Sequence, residues 1–320
     1  MSTTEPAPVT VIIPNYNGED LLRRNLPAVV QAAAAYPGDC RVLVVDDGSR
    51  DGSLAVLAQF DSVESIRHPV NRGFAEAIHT GVQAADTEYL VLLNSDVAPD
   101  TDFLEPLLHA LTAADVFAAS PLVFEENGRV SPVSWRGYTF KRGKFKAVTE
   151  PYAAAFPRLP RHSLFASGGS VAVKKTLFLE LGGFLALFKP FYSEDFDLGL
   201  RAWRRGWRTV LEPASRVVHQ ERGSIASHIS RKRVRQIRTR NWFMLEWLHV
   251  SRRDLCRHFI PRYCTQAVGR LLRLDHVYFR GLAGALWHLP EVLSWRKTIA
   301  AQSSHSLAEV MATINAQLNS

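Results

Sequence analysis

The sequence predicts an α/β fold: a doubly wound sheet, followed by a helical extension rich in basic and aromatic residues. Three observations carry this. Three strand–loop–helix units follow one another in the first third of the chain, the repeat that builds a parallel sheet with right-handed crossovers. Each strand is a short continuous apolar run, as in Tyr89-Leu90-Val91-Leu92-Leu93, the pattern of a strand buried on both faces. Each run then stops at a polar loop. These loops are Pro14-Asn15-Tyr16-Asn17, Asp46-Asp47-Gly48-Ser49, Asn71-Arg72-Gly73 and Asn94-Ser95-Asp96.

The elements follow in order. Residues 10–13 form the first strand, ended by Pro14, which cannot donate to a ladder. A helical pattern runs through Leu21, Leu22, Leu26, Val29, Val30 and Ala33, divided at Pro27 with Asn25 capping its second part. Residues 41–45, 65–67 and 89–93 are the next strands, with helices over 54–60 and 74–85 between them. A helix over 100–113 and a strand over 116–119 follow. Residues 120–165 carry Lys141, Arg142, Lys144 and Lys146. They read as an acceptor-side loop or hairpin, or equally as a solvated surface excursion. Ser167-Gly168-Gly169-Ser170 precedes a strand over 171–173. A helix over 176–181 ends at Gly182-Gly183. Tyr192-Ser193-Glu194-Asp195 opens a helix over 196–205, and residues 208–211 are the last strand. From Ser230 the chain turns basic and aromatic. A boundary between Ser224 and Ser230 divides it into a domain over 1–224 and a helical region over 225–320.

The chain's 320 residues suffice for one large α/β domain plus an appendage, and 47% apolar composition excludes general disorder. Cys40, Cys256 and Cys264 are spaced for neither a zinc site nor a disulfide framework, so a reducing compartment is expected. The N-terminus, MSTTEPAPVT, lacks the features of a secretory signal. No uncharged apolar run is long enough to cross a bilayer. The net charge of +7 leaves nucleic acid, an anionic membrane surface or a phosphorylated ligand as partners.

Parallel topology brings the four polar loops to one edge, where ligands of open α/β sheets bind. Together they offer carboxylates, an aromatic and an arginine, a set suited to a nucleotide. Asp96, just past the buried run, suits a hard cation that neutralises phosphate oxygens, although a turn or cap explains a lone acid there as well. No GxGxxG follows the first strand and no GxxxxGK[ST] occurs, which argues against a dinucleotide-binding dehydrogenase and a P-loop enzyme.

VTVIIPNYNG, VVDDGSRDGS, NRGFAEA, LLNSD, SGGSVAVKK and YSEDFDLGLRAWRRGW, in this order, resemble the family-2 inverting glycosyltransferases with the GT-A fold, in particular the rhamnosyltransferase-like branch. The resemblance covers roughly Val9 to His219. It implies a GT-A type mixed sheet with a Rossmann-like nucleotide-binding half, a nucleotide-sugar donor and a divalent cation, Mn2+ or Mg2+. It implies that Pro14, Tyr16, Asp46 and Asp47 belong to the nucleoside pocket, and that Arg72 and Gly73 form the donor-side loop. Asp96 matches the last acid of the family's DxD metal motif. The chain departs from that motif at Asn94, which offers an oxygen without a charge, beside Ser95. Asp195, next to Glu194, matches the catalytic base, although acids at a helix start also complement its dipole. An inverting displacement needs one carboxylate to take the acceptor hydroxyl's proton. His219 resembles a metal ligand of relatives, a role also weighed for His228, and imidazole favours Mn2+ over Mg2+. Gly168 and Gly169 let backbone approach the sugar or acceptor. Trp203, Arg204 and Arg205 resemble acceptor- or diphosphate-side positions.

The donors expected by resemblance are UDP- or dTDP-sugars. The expected acceptor is a saccharide or a lipid-linked intermediate of a cell-surface glycan. Arg231, Lys232, Arg233, Arg235, Arg238 and Arg240, followed by Trp242 and Trp247, read either as a solvated charged helix face or, preferred here, as an interfacial helix on an anionic membrane, with both tryptophans at headgroup depth. Nucleic acid is not expected, for want of a recognisable module. The expected location is cytoplasmic, peripheral at the inner face of the cell membrane. The rival readings are a nucleotidyltransferase, which would show a Gly-rich phosphate loop after the first strand, and a non-catalytic nucleotide-sugar-binding protein.

Overall fold

The computed structural model describes residues 6–135, 137–141, 144–148, 161–220 and 229–317. Arg142, His228 and most of the expected boundary segment lie outside the described residues. Strands β1 (Val9–Asn15), β2 (Cys40–Asp46), β3 (Val63–Arg67) and β4 (Tyr89–Leu93) pair in parallel in the order β3-β2-β1-β4. Their connections contain α1 (Glu19–Ala35), α2 (Ser53–Leu57) and α3 (Phe74–Ala84). Then come β5 (Val97–Pro99), α4 (Leu104–Leu111), β6 (Val116–Glu125) and a hairpin of β7 (Gly137–Lys141) and β8 (Lys144–Val148). After β9 (Arg161–Ser163), strand β10 (Ser170–Lys174) inserts antiparallel between β4 and β6. Helices α5 (Lys175–Glu180) and α6 (Glu194–Arg204) lead to β11 (Arg208–His219), parallel to β6 and antiparallel to β5 and β9. The result is the expected mixed sheet, nine-stranded.

Period-two alternation decides which face each residue covers. Val11, Ile13, Val91 and Leu93 pack with Leu22, Leu26 and Leu107 of α1 and α4. Ile12, Leu90 and Leu92 point the other way, onto Ile78, Phe178 and Leu198 of α3, α5 and α6. Each such side chain buried contributes about 1.5–3 kcal/mol, and a one-residue slip would exchange the faces.

Three local expectations change. Strand β1 continues through Pro14, paired to Val45, because pairing with β4 ends at Ile12 and a missing N–H there breaks no ladder on that side. Helix α1 is continuous past Pro27, and Asn25 is not a cap. The buried stripe Leu22, Asn25, Leu26, Val29 and Ala32 spans the proline and offsets its cost of about 3 kcal/mol. Strand β11 runs on to His219, so this histidine is the strand's last residue rather than part of a following loop.

From Ser230 onward come α7 (Arg231–His249), a helical turn (Arg252–Asp254) and a π-helical turn (Leu255–Phe259). They are followed by α8 (Ile260–Leu271), α9 (His276–Trp287), α10 (Leu289–Gln302) and α11 (Leu307–Ala316). A third core joins Phe196, Leu200 and Trp203 of α6 to Phe243 and Leu248 of α7, Tyr278, Val292 and Val310. Trp242 and Trp247 are half-buried against this core, Trp242 beside Phe145 and Phe196 and Trp247 beside Phe243. They therefore do not stand at headgroup depth; aromatic packing takes them inward.

Candidate active site

The first two loops form one hydrogen-bonded unit at the carboxyl edge. Buried Asn15 donates to Asp46 Oδ1 at 3.0 Å and Ser49 Oγ at 3.3 Å. Ser49 Oγ accepts the Asn17 N–H at 2.8 Å, and Asp46 Oδ2 accepts the Ser49 N–H at 3.1 Å. Tyr16 stands above this layer, 37% exposed, as a stacking surface would. Pro14 lies below it in the strand.

Asp47 reaches sideways. Its two oxygens accept the backbone N–H groups of Arg72 at 2.8 Å and Gly73 at 2.7 Å, and His68 Nδ1 lies 2.7 Å from Oδ1. Thr80 of α3 meets the other ring nitrogen of His68. Asp47 is thus a strut that hangs the Arg72-Gly73 loop from β2. Gly73 adopts φ +94°, a conformation side chains disfavour, at the start of α3.

Asp96 and His219 lie far apart in sequence. Antiparallel pairing of β5 with β11 sets His219 opposite Val97, so His219 Nε2 comes 3.6 Å from Asp96 Oδ2. That is too long for a hydrogen bond. Asp96 Oδ1 is buried without a partner. Burial raises this carboxyl's pKa, although the neighbouring His219 works against the rise. Asn25, expected as a cap, and Gln220, which the sequence reading did not single out, brace the loop instead. Asn25 donates to the Ser95 carbonyl at 2.8 Å and accepts from Gln220 at 3.0 Å. A polar residue on the apolar stripe of α1 was the available signal.

Asn94 carries the site across to β10. Its N–H donates to the Gly169 carbonyl at 2.9 Å, and a Cβ on Gly169 would lie only 2.9 Å from Asn94 Nδ2. Gly168 is the bridge to the next acid: a Cβ there would sit 3.7 Å from Asp195 Cβ and 3.8 Å from the Phe74 ring. Asp195 therefore joins the edge that runs from Asp96 through Asn94, Gly169 and Gly168 to Gly73 and Phe74.

Asp195 heads α6, and its Oδ1 accepts the Phe196 N–H at 2.8 Å. The preceding Tyr192 and Ser193 both adopt left-handed backbone, φ 74° and 76°. What holds them there is Asn241 of α7, fully buried. Its amide donates to the carbonyls of Phe188, Phe191 and Tyr192 at 3.0, 2.9 and 2.7 Å. The Arg238 guanidinium stacks 4.2 Å over the Tyr192 ring.

The family model of glycosyl transferase family 2 matches residues 10–169, half of the chain. The chain belongs to this family. A pre-mycofactocin glycosyltransferase of Mycobacterium tuberculosis is 28% identical over 228 residues, which cover 70% of this chain and 45% of that protein. The chain thus spans less than half of that relative's length. An N-acetylglucosaminyl-diphospho-decaprenol L-rhamnosyltransferase from the same organism is 27% identical over 220 residues, 59% of this chain and 70% of the relative. Among solved structures, a Pyrobaculum calidifontis mannosyltransferase in complex with GDP-Man and Mn2+ is similar, with a TM-score of 0.55 at 19% identity. That likeness covers 99% of this chain and 86% of the other. Staphylococcus aureus TarS 1-349 in complex with UDP-GlcNAc gives 0.57 at 13%, covering 98% and 91%. The fold is the GT-A fold.

In this family-2 transferase, α6 is locked on both sides. Asp197 pairs with Arg201 at 2.7 Å and meets His249 of α7 at 2.9 Å, while Arg201 donates to the carbonyls of Leu181 and Gly183. Burial would raise Asp197's pKa, but Arg201 and the His249 hydrogen bond outweigh it and hold it low. Trp203 donates to the Ser163 carbonyl and Arg205 pairs with Glu180, so both serve packing at the far end of α6.

Glu194 is different. Its Oε2 is buried without a partner, and burial, then the charges of Asp195 and Asp197, push its pKa up to about 8. At neutral pH it is mainly protonated, which keeps a second negative charge away from Asp195. A folded-state pKa above the unfolded value means that stability is lost as pH rises from the ordinary glutamate range towards about 8. Thermal unfolding should show this decline, and Glu194→Gln should flatten it. An unchanged slope in the variant would assign the decline to other groups.

Proposed function

We propose that this transferase moves a sugar, with inversion, from a nucleoside-diphosphate sugar to a hydroxyl of a cell-surface glycan or lipid-linked saccharide, with Asp195 as base. The observation that carries the reading is the continuous edge linking Asp96 and His219 to Asp195 through Asn94, Gly169 and Gly168. Tyr16, Pro14, Asp46 and the Asp47-held loop would receive the nucleoside, with Arg72 available to the diphosphate. UDP or dTDP is the favoured nucleotide. The name of the Mycobacterium rhamnosyltransferase, with its diphospho-decaprenol acceptor, supports a lipid-linked acceptor. We assign residues 1–224 to the transferase domain and 225–320 to the helical region. No helix among the described residues is long and apolar enough to cross a membrane. The assigned location is the cytoplasmic face of the cell membrane, held peripherally.

A divalent cation fits the residues present. The unpartnered Asp96 Oδ1 and the His219 imidazole are oxygen and nitrogen donors acceptable to Mn2+. Among the described residues no cluster of three or more His, Cys, Asp or Glu could hold a metal, so the remaining ligands would be donor oxygens and water. The ion would supply charge neutralisation for the departing diphosphate. Asp195 accepts the proton of the attacking hydroxyl, and the backbone of Gly168 and Gly169 leaves room for the sugar beside it.

The test is release of nucleoside diphosphate from a panel of nucleotide sugars with Mn2+, Mg2+ or EDTA. Release from one donor, abolished by EDTA and lowered about a hundredfold or more in Asp96→Ala, is the expected result. Release undiminished in both conditions would remove metal and Asp96 from the reading.

A further inference from the structure

Of the eleven exposed large apolar side chains among the described residues, eight lie between Ile260 and Leu293. Helix α8 accounts for the core of this patch. Two of its polar side chains face inward: Arg262 and Tyr263 both bond the fully buried carboxylate of Glu246, at 2.7 and 2.6 Å. Its large aliphatic side chains face outward. Ile260, Val268 and Leu271 fall at helical spacing on one stripe, continued past the helix end by Leu272, 81% exposed, and Leu274, 72% exposed. No residue of α8 is buried. A helix of a water-facing surface reverses this arrangement, and an exposed apolar strip of this kind marks a contact.

Charge identifies the contact. Residues 252–297 hold nine Arg or Lys against three acids. Arg253 and Arg257 before the stripe and Arg273 within it are exposed, and none has an ion-pair partner among the described residues. A second copy of the chain, packed on this stripe by two-fold symmetry, would bring these cations face to face. Phosphates at the boundary of a hydrocarbon layer complement both features at once.

We propose that α8 lies in the headgroup plane of an anionic bilayer, with Val268, Leu271, Leu272 and Leu274 entering it and Arg253, Arg257 and Arg273 on lipid phosphates. The docked surface is tied to the active edge. Asp275, at the end of the stripe, pairs with Arg235 of α7, and the next turn of α7 carries Arg238 over Tyr192, three residues before Asp195. Docking would therefore present the base towards headgroup depth, where the saccharide of a lipid-linked acceptor lies. Only this last step rests on the proposed transferase reading.

The test is co-sedimentation of the full chain with vesicles of phosphatidylcholine alone or mixed equally with phosphatidylglycerol. The full chain should bind the anionic vesicles and release them at high salt. Val268→Ser combined with Leu272→Ser should weaken binding about tenfold or more, with calorimetric UDP binding unchanged as proof of folding. Leu179→Ser, on α5, should bind as wild type. Equal vesicle binding by wild type and the double variant would overturn the proposal. So would a wild-type dimer that ignores vesicles and dissociates in the double variant, because a second copy would then cover the stripe. Vesicle binding by a chain that turns over no nucleotide sugar would uphold docking and sink the transferase reading.

Discussion

Asp195→Asn should lower turnover about a hundredfold to ten-thousandfold, the range for losing a positioned general base, with nucleotide affinity unchanged. The substitution preserves shape. An amide oxygen can still accept the Phe196 N–H that Asp195 Oδ1 accepts now, so the start of α6 has no reason to move. What disappears is the capacity to take the proton that the proposed mechanism assigns to this carboxylate. Glu194→Gln, one residue away, should leave turnover near wild type at neutral pH, since Glu194 is already mainly protonated there. Steady-state release of nucleoside diphosphate and calorimetric UDP titration separate the effects. Matching losses of turnover and affinity in Asp195→Asn would instead give Asp195 a binding or structural role.

Asn241→Leu should have the second-largest effect. Three carbonyls of the loop before Asp195 depend on this one amide, and a buried polar group left unpaired costs about 1–3 kcal/mol. The melting temperature should fall while the sheet and its cores hold the chain folded. Turnover should fall about a hundredfold, the scale expected when a reacting group shifts by about 1 Å, because Tyr192 and Ser193 would relax from left-handed backbone. UDP affinity should stay near wild type, since the hydrogen bonds of the Asn241 amide go to Phe188, Phe191 and Tyr192 and to none of the loops proposed to receive the nucleoside. A drop in stability with turnover intact would make Asn241 a packing residue only.

What the sequence made legible follows from chain locality. Strands β1, β2 and β4 are continuous apolar runs ending in polar loops, and parallel pairing of such runs leaves one outcome for where the loops meet. Asp46, Asp47, Asn94 and Asp96 could be gathered on that ground. The proximity of His219 to Asp96 came from resemblance, since the β5–β11 pairing that creates it joins distant segments. The inward turn of Trp242 and Trp247 was not legible, because a basic-aromatic helix reads the same whether its aromatics meet lipid or protein. Phe145, Phe196 and Phe243 decide that, and two of them lie far from these tryptophans in sequence. Asn241 was hidden for a similar reason: its partners are backbone carbonyls some fifty residues earlier. Pro27 misled because a helix breaker in isolation is tolerated when the apolar stripe continues on both sides.

A single displacement at the anomeric carbon, with Asp195 as its base, is the core of this account. The anomeric configuration of the sugar at the moment of release, followed by proton NMR during donor turnover before mutarotation, tests it most directly. Inversion relative to the donor is the predicted result. Retention would require a double displacement or a front-face route, and would contradict the role given to Asp195.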